Sequence, residues 1–106
     1  MPLSNSDIIV REFFTGFIRM HILYHAGKEP VFGLWMIKEL ARHGYNLSPG
    51  TLYPILHRLE STGFLISEKA VINGKWRKYY RITDEGRQAL AQAYEKIREL
   101  VGELKE

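Results

Sequence analysis

Residues 48–82, SPGTLYPILHRLESTGFLISEKAVINGKWRKYYRI, leave the chain little conformational choice. They begin with a helix whose two ends are both written in the sequence. Ser48 suits the N-cap, and Pro49 falls at the first helical position, where its missing N–H costs nothing. Leu47 before the cap can staple onto Leu52. Gly63 suits the left-handed position just past the end, with Phe64 able to pack back on Leu59. Pro54 lies inside, above Gly50, whose backbone can adjust, so a slight bend is expected rather than a break. Nine residues after Phe64 comes Asn73-Gly74. That pair is a strong two-residue hairpin turn, because both central positions of a type I′ turn need positive φ.

The turn sets the register of the hairpin. It pairs Ile72 with Lys75, Val71 with Trp76, and Leu65 with Ile82. Leu65, Ser67, Tyr80 and Ile82 then share one face, while Ile66, Glu68, Arg77, Tyr79 and Arg81 share the other. The base of the first face can join a core. The tip, with Lys69, Lys75, Arg77 and Lys78, is too charged to be buried.

Three further helices complete the pattern. The spacing of Ile9, Phe13, Phe17, Ile18 and Ile22 predicts a helix over 6–25, closed by Gly27 and Pro30. Ile8, Val10, Phe14, Met20 and Leu23 widen its apolar stripe nearly all round, which hints at burial against a second chain. A helix over 32–43 is predicted, with Leu34, Ile37, Leu40 and Ala41 inward and Gly44 ending it. The linker Tyr45-Asn46-Leu47 is short enough for a helix-turn-helix. Thr83 caps a last helix, and Asp84 and Glu85 complement its positive end. That helix runs towards Glu106 for roughly 35 Å. Leu90, Ala93, Ile97, Leu100 and Leu104 follow the 3,4,3,4 spacing of a coiled-coil seam. So long a seam exceeds what a domain this small can cover, and a homodimer is the economical solution. The alternative is a seam closed on the first helix of the same chain.

The predicted fold is therefore mainly α with a small β-hairpin: a winged helix-turn-helix with N-terminal and C-terminal dimerisation helices. Residues 1–83 form the winged domain and residues 84–106 the dimerisation helix.

Charge follows the same map. Residues 1–41 carry four basic against four acidic residues, residues 42–82 seven against two, and residues 83–106 four against six. The excess is confined to the helix and hairpin. A solvated basic face is the plain explanation for a charge run alone. Beside a groove-sized helix, it favours a polyanion partner, double-stranded DNA. The third helix would then enter the major groove and the hairpin would follow the backbone or minor groove.

Position selects the contacts. Gly50, Thr51, Tyr53, Pro54 and His57 are candidates for the groove-facing surface, Ser48 and Thr51 suit a phosphate at the helix N-terminus, and Arg58 holds phosphate or pairs with Glu39 or Glu60. Tyr53 can instead pack on the preceding helix. Lys69, Lys75, Arg77 and Lys78 are candidate phosphate ligands of the wing. The third helix has no Asn or Gln to read adenine and no Arg near its start to read guanine. Specificity would rest on thymine methyls and DNA shape.

The segments SPGTLYPILHRLESTGFL, FGLWMIKEL and KYYRITDEG resemble the PadR family of bacterial and archaeal transcriptional regulators. The resemblance covers roughly residues 13–90. The single C-terminal helix is similar to the smaller subfamily. The resemblance implies a dimeric repressor on a palindromic operator, often near its own gene. Family members are associated with phenolic-acid detoxification, multidrug export and other stress responses. Some relatives hold flat aromatic compounds between paired C-terminal helices. Phe13, Phe14, Phe17 and Tyr94 are the candidates here for a small aromatic effector pocket, unless all are core or dimer packing. Phe13, Phe17, Leu90, Ala93, Ile97, Leu100 and Leu104 are the candidate dimer interface.

Other classes find less support. His21 and His25 stand at i, i+4, but no HExxH motif or cysteine accompanies them, so surface or interface histidines are expected and no metal site. No phosphate-binding glycine loop is present, no cofactor is implied, and nothing suggests an enzyme. RNA binding would show exposed aromatics on a sheet or a glycine clamp. A winged-helix protein-interaction module is the alternative function, but it would not need the basic segment. No run is apolar enough to span a membrane, and MPLSNSDIIVREFF lacks the basic start of a secretory signal. With no cysteine, a cytoplasmic setting is expected.

Overall fold

The computed structural model describes residues 4–106. The chain runs through helix α1 (Asn5–Lys28), strand β1 (Val31–Phe32), helices α2 (Gly33–Arg42) and α3 (Pro49–Ser61), strands β2 (Leu65–Ile72) and β3 (Lys75–Ile82), and helix α4 (Asp84–Leu104). This is a winged helix-turn-helix with a long helix at each end.

α1 starts one residue earlier than its apolar periodicity suggests and ends three later. Ser4 and Asp7 form a reciprocal capping box, with the Asp7 N–H donating to Ser4 Oγ at 3.1 Å. Gly27 does not close the helix. It lies inside it, where an added Cβ would meet Ile82 Cγ2 at 3.4 Å. Pro30 lies just beyond the helix end.

β1 is a second departure. Val31 and Phe32 pair antiparallel with Tyr80 and Tyr79, giving a three-stranded sheet in the order β1-β3-β2. Phe32, expected in a helix, is therefore strand. The entry from β1 rotates α2 relative to expectation. Gly33, Met36 and Leu40 are its buried residues, whereas Leu34 is 51% exposed and Ala41 is also exposed. Ile37 packs half-buried on the core.

α2 and α3 end alike. Gly44 and Gly63 both have φ of 90°. The Tyr45 N–H reaches Leu40 O at 3.0 Å, and the Phe64 N–H reaches Leu59 O at 2.8 Å. Each is the outer bond of a Schellman motif. α3 continues through Pro54 without interruption. Its start differs from expectation. The Ser48 side chain caps no backbone N–H, and its hydroxyl turns to Thr51 Oγ1 at 3.2 Å.

The hairpin has the expected register throughout, from Leu65↔Ile82 to Ile72↔Lys75. Asn73 and Gly74 take φ of 54° and 76°. Tyr80, Leu65 and Ile82 point into the core beside Ile22 and Leu23 of α1, Met36 and Leu40 of α2, and Leu52, Leu56 and Leu59 of α3. Thr83 caps α4 by accepting from the Gly86 N–H at 3.0 Å, and it donates to Gly63 O at 2.6 Å. One threonine thus joins the start of α4 to the end of α3.

Candidate nucleic-acid interface

α3 divides sharply between its faces. Leu52, Leu56 and Leu59 are buried, and Gly50, Thr51, Pro54, His57, Arg58 and Ser61 are exposed. No side chain caps the first turn of α3, where Pro49 has no N–H and the Thr51 and Leu52 N–H groups both donate to Ser48 O, which leaves the Gly50 N–H as its one open donor among the described residues. That N–H and the Ser48 and Thr51 hydroxyls, 3.2 Å apart, make a surface suited to a phosphate oxygen.

Tyr53 stands apart from this row. It is half-buried, and a Cβ added to Gly33 would come 2.7 Å from its ring. Its ring therefore packs against the β1–α2 junction. Arg58 has no ion pair among the described residues, because Glu39 and Glu60 are engaged elsewhere.

Glu60 ties the wing to α3. It accepts from the Ser67 hydroxyl and lies 3.5 Å from Lys78 Nζ. The Ser67 hydrogen bond, with Lys78 adding to it, holds the Glu60 carboxyl below the usual carboxylate range. Lys78 is thus partly neutralised, unlike Lys69 and Lys75, which have no ion pair among the described residues. The Arg77 guanidinium stacks 4.3 Å over the Phe32 ring. That contact fixes the side chain on an aromatic face without neutralising its charge.

The wing places like charges together. Lys69 is the register partner of Lys78, and Ala70 that of Arg77. Two lysines directly opposite each other destabilise a hairpin. Trp76 sits among them, 73% exposed, around a 430 Å³ hollow lined by Lys69, Trp76, Arg77 and Lys78. Sequence reasoning passed over Trp76. Its pairing with Val71 beside the turn was the available signal, since a tryptophan there cannot reach the core.

The candidate dimer residues fall into two groups. Leu90 and Ala93 are half-buried, Leu90 against the core, while Ile97, Leu100 and Leu104 are exposed along α4. On α1, Phe13 is exposed and stacks on half-buried Phe17 with centroids 5.2 Å apart. Of the four candidate effector residues, Phe13, Phe14 and Phe17 adjoin one another on α1, with the Phe13 and Phe14 centroids 5.6 Å apart. Phe17 lines a hollow with Met20, Tyr24 and Leu90, and Tyr94 lines another with Arg87 and Ala91. Phe14 packs edge-on against Tyr45 at 5.7 Å.

The sequence profile of the transcriptional regulator PadR-like family matches residues 22–92, from the second half of α1 into α4. The chain belongs to the PadR family. The transcriptional regulator Rv3488 of Mycobacterium tuberculosis is 50% identical over 95 residues, which cover 90% of this chain and 89% of that protein. A PadR family transcriptional regulator from Eggerthella lenta is similar in structure, with TM-score 0.76 and 40% identity over 92% of this chain and 89% of that one. A PadR-like transcriptional regulator from Bacillus cereus has TM-score 0.75 and 30% identity, over 88% and 95% of the two chains. A regulator of transcription with the PadR winged-helix fold is thus the frame for the exposed α3 face and the basic wing. No helix among the described residues is long and apolar enough to cross a membrane.

Proposed function

We propose that this PadR protein is a sequence-specific repressor that binds a palindromic operator as a homodimer. One observation carries the reading. The open face of α3 adjoins a wing on which Lys69, Lys75 and Arg77 have no ion pair among the described residues, with Lys78 as the register partner of Lys69. A phosphate backbone would supply the counter-charge. In this reading Thr51, Pro54 and His57 meet base edges, while Ser48, Gly50 and Arg58 with the wing cations meet phosphates. Tyr53 sets the angle of α3 from its seat on Gly33.

The exposed apolar rows of α1 and α4 support the dimer. Residues 84–106 would supply most of the pairing surface and residues 1–83 the DNA-binding unit. Two α3 helices would then enter successive major grooves, about 34–36 Å apart. A small aromatic effector fits this arrangement. Phe13, Phe14 and Phe17 of α1 and Tyr94 of α4 are then available to line the hollow between protomers. Such a regulator would act on DNA in the cytoplasm.

The test is binding to the duplex upstream of its own gene, at two salt concentrations, beside a scrambled duplex. A preference of about 10³-fold or more is expected for the native duplex. With six phosphate contacts, log K should fall against log salt with a slope of roughly −5. Absence of binding to either duplex at low salt would overturn the reading. Release of the native duplex by a flat phenolic compound would identify the effector class. Unchanged binding across such compounds would remove the effector from the proposal.

A further inference from the structure

His21 and His25 lie one turn apart on α1, and His43 stands at the C-terminal cap of α2. The fold brings the three together. One ring nitrogen from each lies within 4.8 Å of the others. Glu39, one turn before His43, extends Oε1 to 3.7 Å from His25 Nε2 and 3.6 Å from His43 Nε2. Arg42 Nη1 donates to the other carboxylate oxygen, Oε2, at 3.0 Å, and so turns Oε1 towards the histidines.

His25 Nε2 is buried and has no hydrogen-bond partner among the described residues. Native proteins seldom leave such an atom unused. Proton sharing does not explain the cluster, since 3.7 Å is too long for a hydrogen bond to Glu39. Nor does charge. Three adjacent imidazolium rings would repel, whereas three neutral rings offer one ring nitrogen each within 4.8 Å of the others.

We propose that His21, His25 and His43, with Glu39 as the fourth donor, form a binding site for a divalent transition-metal ion of the zinc class. Zinc takes imidazole nitrogen at about 2.0–2.1 Å and carboxylate oxygen at about 2.0–2.2 Å, usually in a tetrahedron. Donor atoms in that tetrahedron lie about 3.4 Å apart, close to the two Glu39 separations. Neighbours hold the donors in place: Arg42 orients the carboxylate, Phe17 packs edge-on against His21 at 4.9 Å, and Trp35 packs edge-on against His25 at 5.5 Å. A donor set of nitrogen and oxygen without sulfur selects zinc, cobalt or nickel over ions that prefer thiolate. The hollow at the cluster, 370 Å³, is also lined by Leu90 and Ile97 of α4. The site stands independently of the DNA-binding reading.

The experiment uses full-length protein without a polyhistidine tag, stripped with chelator and titrated with Co²⁺ under visible spectroscopy. Zn²⁺ is then added in competition. One Co²⁺ per chain is expected, with the intense absorption of a tetrahedral site that Zn²⁺ abolishes. His43→Gln should weaken binding by more than about 100-fold, beyond the ~10–100-fold loss typical of removing an outer partner. The His43 side chain is 42% exposed, so this variant should keep the wild-type circular dichroism. His57→Gln, on the exposed face of α3, should bind like wild type. Octahedral spectra without saturation at one ion per chain would overturn the proposal. So would His43→Gln binding as tightly as wild type, or loss of the site in His57→Gln.

Discussion

The Tyr53 phenol fills the space that a side chain on Gly33 would need. A Cβ there would lie 2.5 Å from the Tyr53 oxygen and 2.7 Å from two ring carbons. Backbone at the start of α2 and an aromatic ring of α3 thus set each other's position. Gly33→Ala is expected to destabilise the fold by about 1–3 kcal/mol through overpacking. Tyr53→Leu in the same chain should recover part of that loss. Urea denaturation of the two single variants and the double variant measures the coupling, and strict additivity would show that the two residues are independent.

The two helix caps should respond very differently to alanine. Ser48→Ala removes no bond to a backbone N–H, so its cost should stay below about 0.5 kcal/mol, the low end for a working cap. Thr83→Ala removes both the bond from Gly86 and the bond to Gly63 O, and should cost about 1–2 kcal/mol. Chemical denaturation of both variants checks the order. Equal losses would contradict the geometry.

In the wing, Lys69→Glu with Lys75→Glu should make the salt slope of DNA binding shallower by about 2. Thermal stability should hold or rise slightly, because Lys69 then faces Lys78 with opposite charge. Gel-shift titrations at several salt concentrations, beside a melting curve, separate the two effects. An unchanged slope would remove these lysines from the phosphate contacts.

Leu100→Glu should break the proposed dimer. A carboxylate placed in an apolar seam costs at least about 2 kcal/mol, more than tenfold in dissociation constant. Sedimentation velocity reads this directly, and the isolated protomer should keep its helical circular dichroism because Leu100 is exposed there. A wild-type protein that sediments as a monomer would refute the seam as an interface.

Acid should weaken the chelator-treated protein in a defined window. Burial foremost holds both His21 and His25 below the ordinary value of 6.5. His43 and His25 add to this at His21, while at His25 Glu39 opposes it and His43, Lys28 and Arg42 add smaller lowering effects. Above about pH 6.5 both rings are neutral, folded or unfolded, and stability is complete. Below it the unfolded chain binds protons first, so stability falls as pH drops through the lowered folded values. Urea midpoints at several pH values and fixed protein concentration should show this decline, and His21→Gln should flatten it.

How much of this was legible in the sequence depended on range. Asn73-Gly74 set a register that the structure reproduces pair by pair, because a type I′ turn is decided by its two central residues. Gly44 and Gly63 marked helix ends for the same local reason. β1 left no such trace. Two residues carry no periodicity, and the partners Tyr79 and Tyr80 lie far along the chain. Missing that strand also misplaced α2, so that Leu34 was assigned inward in place of Met36. The histidine cluster escaped because His43 joins His21 and His25 only across a helix–helix contact. Sequence spacing cannot show that. The exposed row of α3 was visible as the polar side of an amphipathic helix, but the seat of Tyr53 on Gly33 was not.

The exposed face of α3 supports almost nothing else in the molecule. Thr51, Pro54, His57, Arg58 and Ser61 stand clear of the leucines that anchor the helix. On the proposed reading, a lineage could therefore rewrite this face, and with it the operator it recognises, while the fold beneath kept its stability. Tyr53 marks where that freedom stops, since changing it would shift α3 itself.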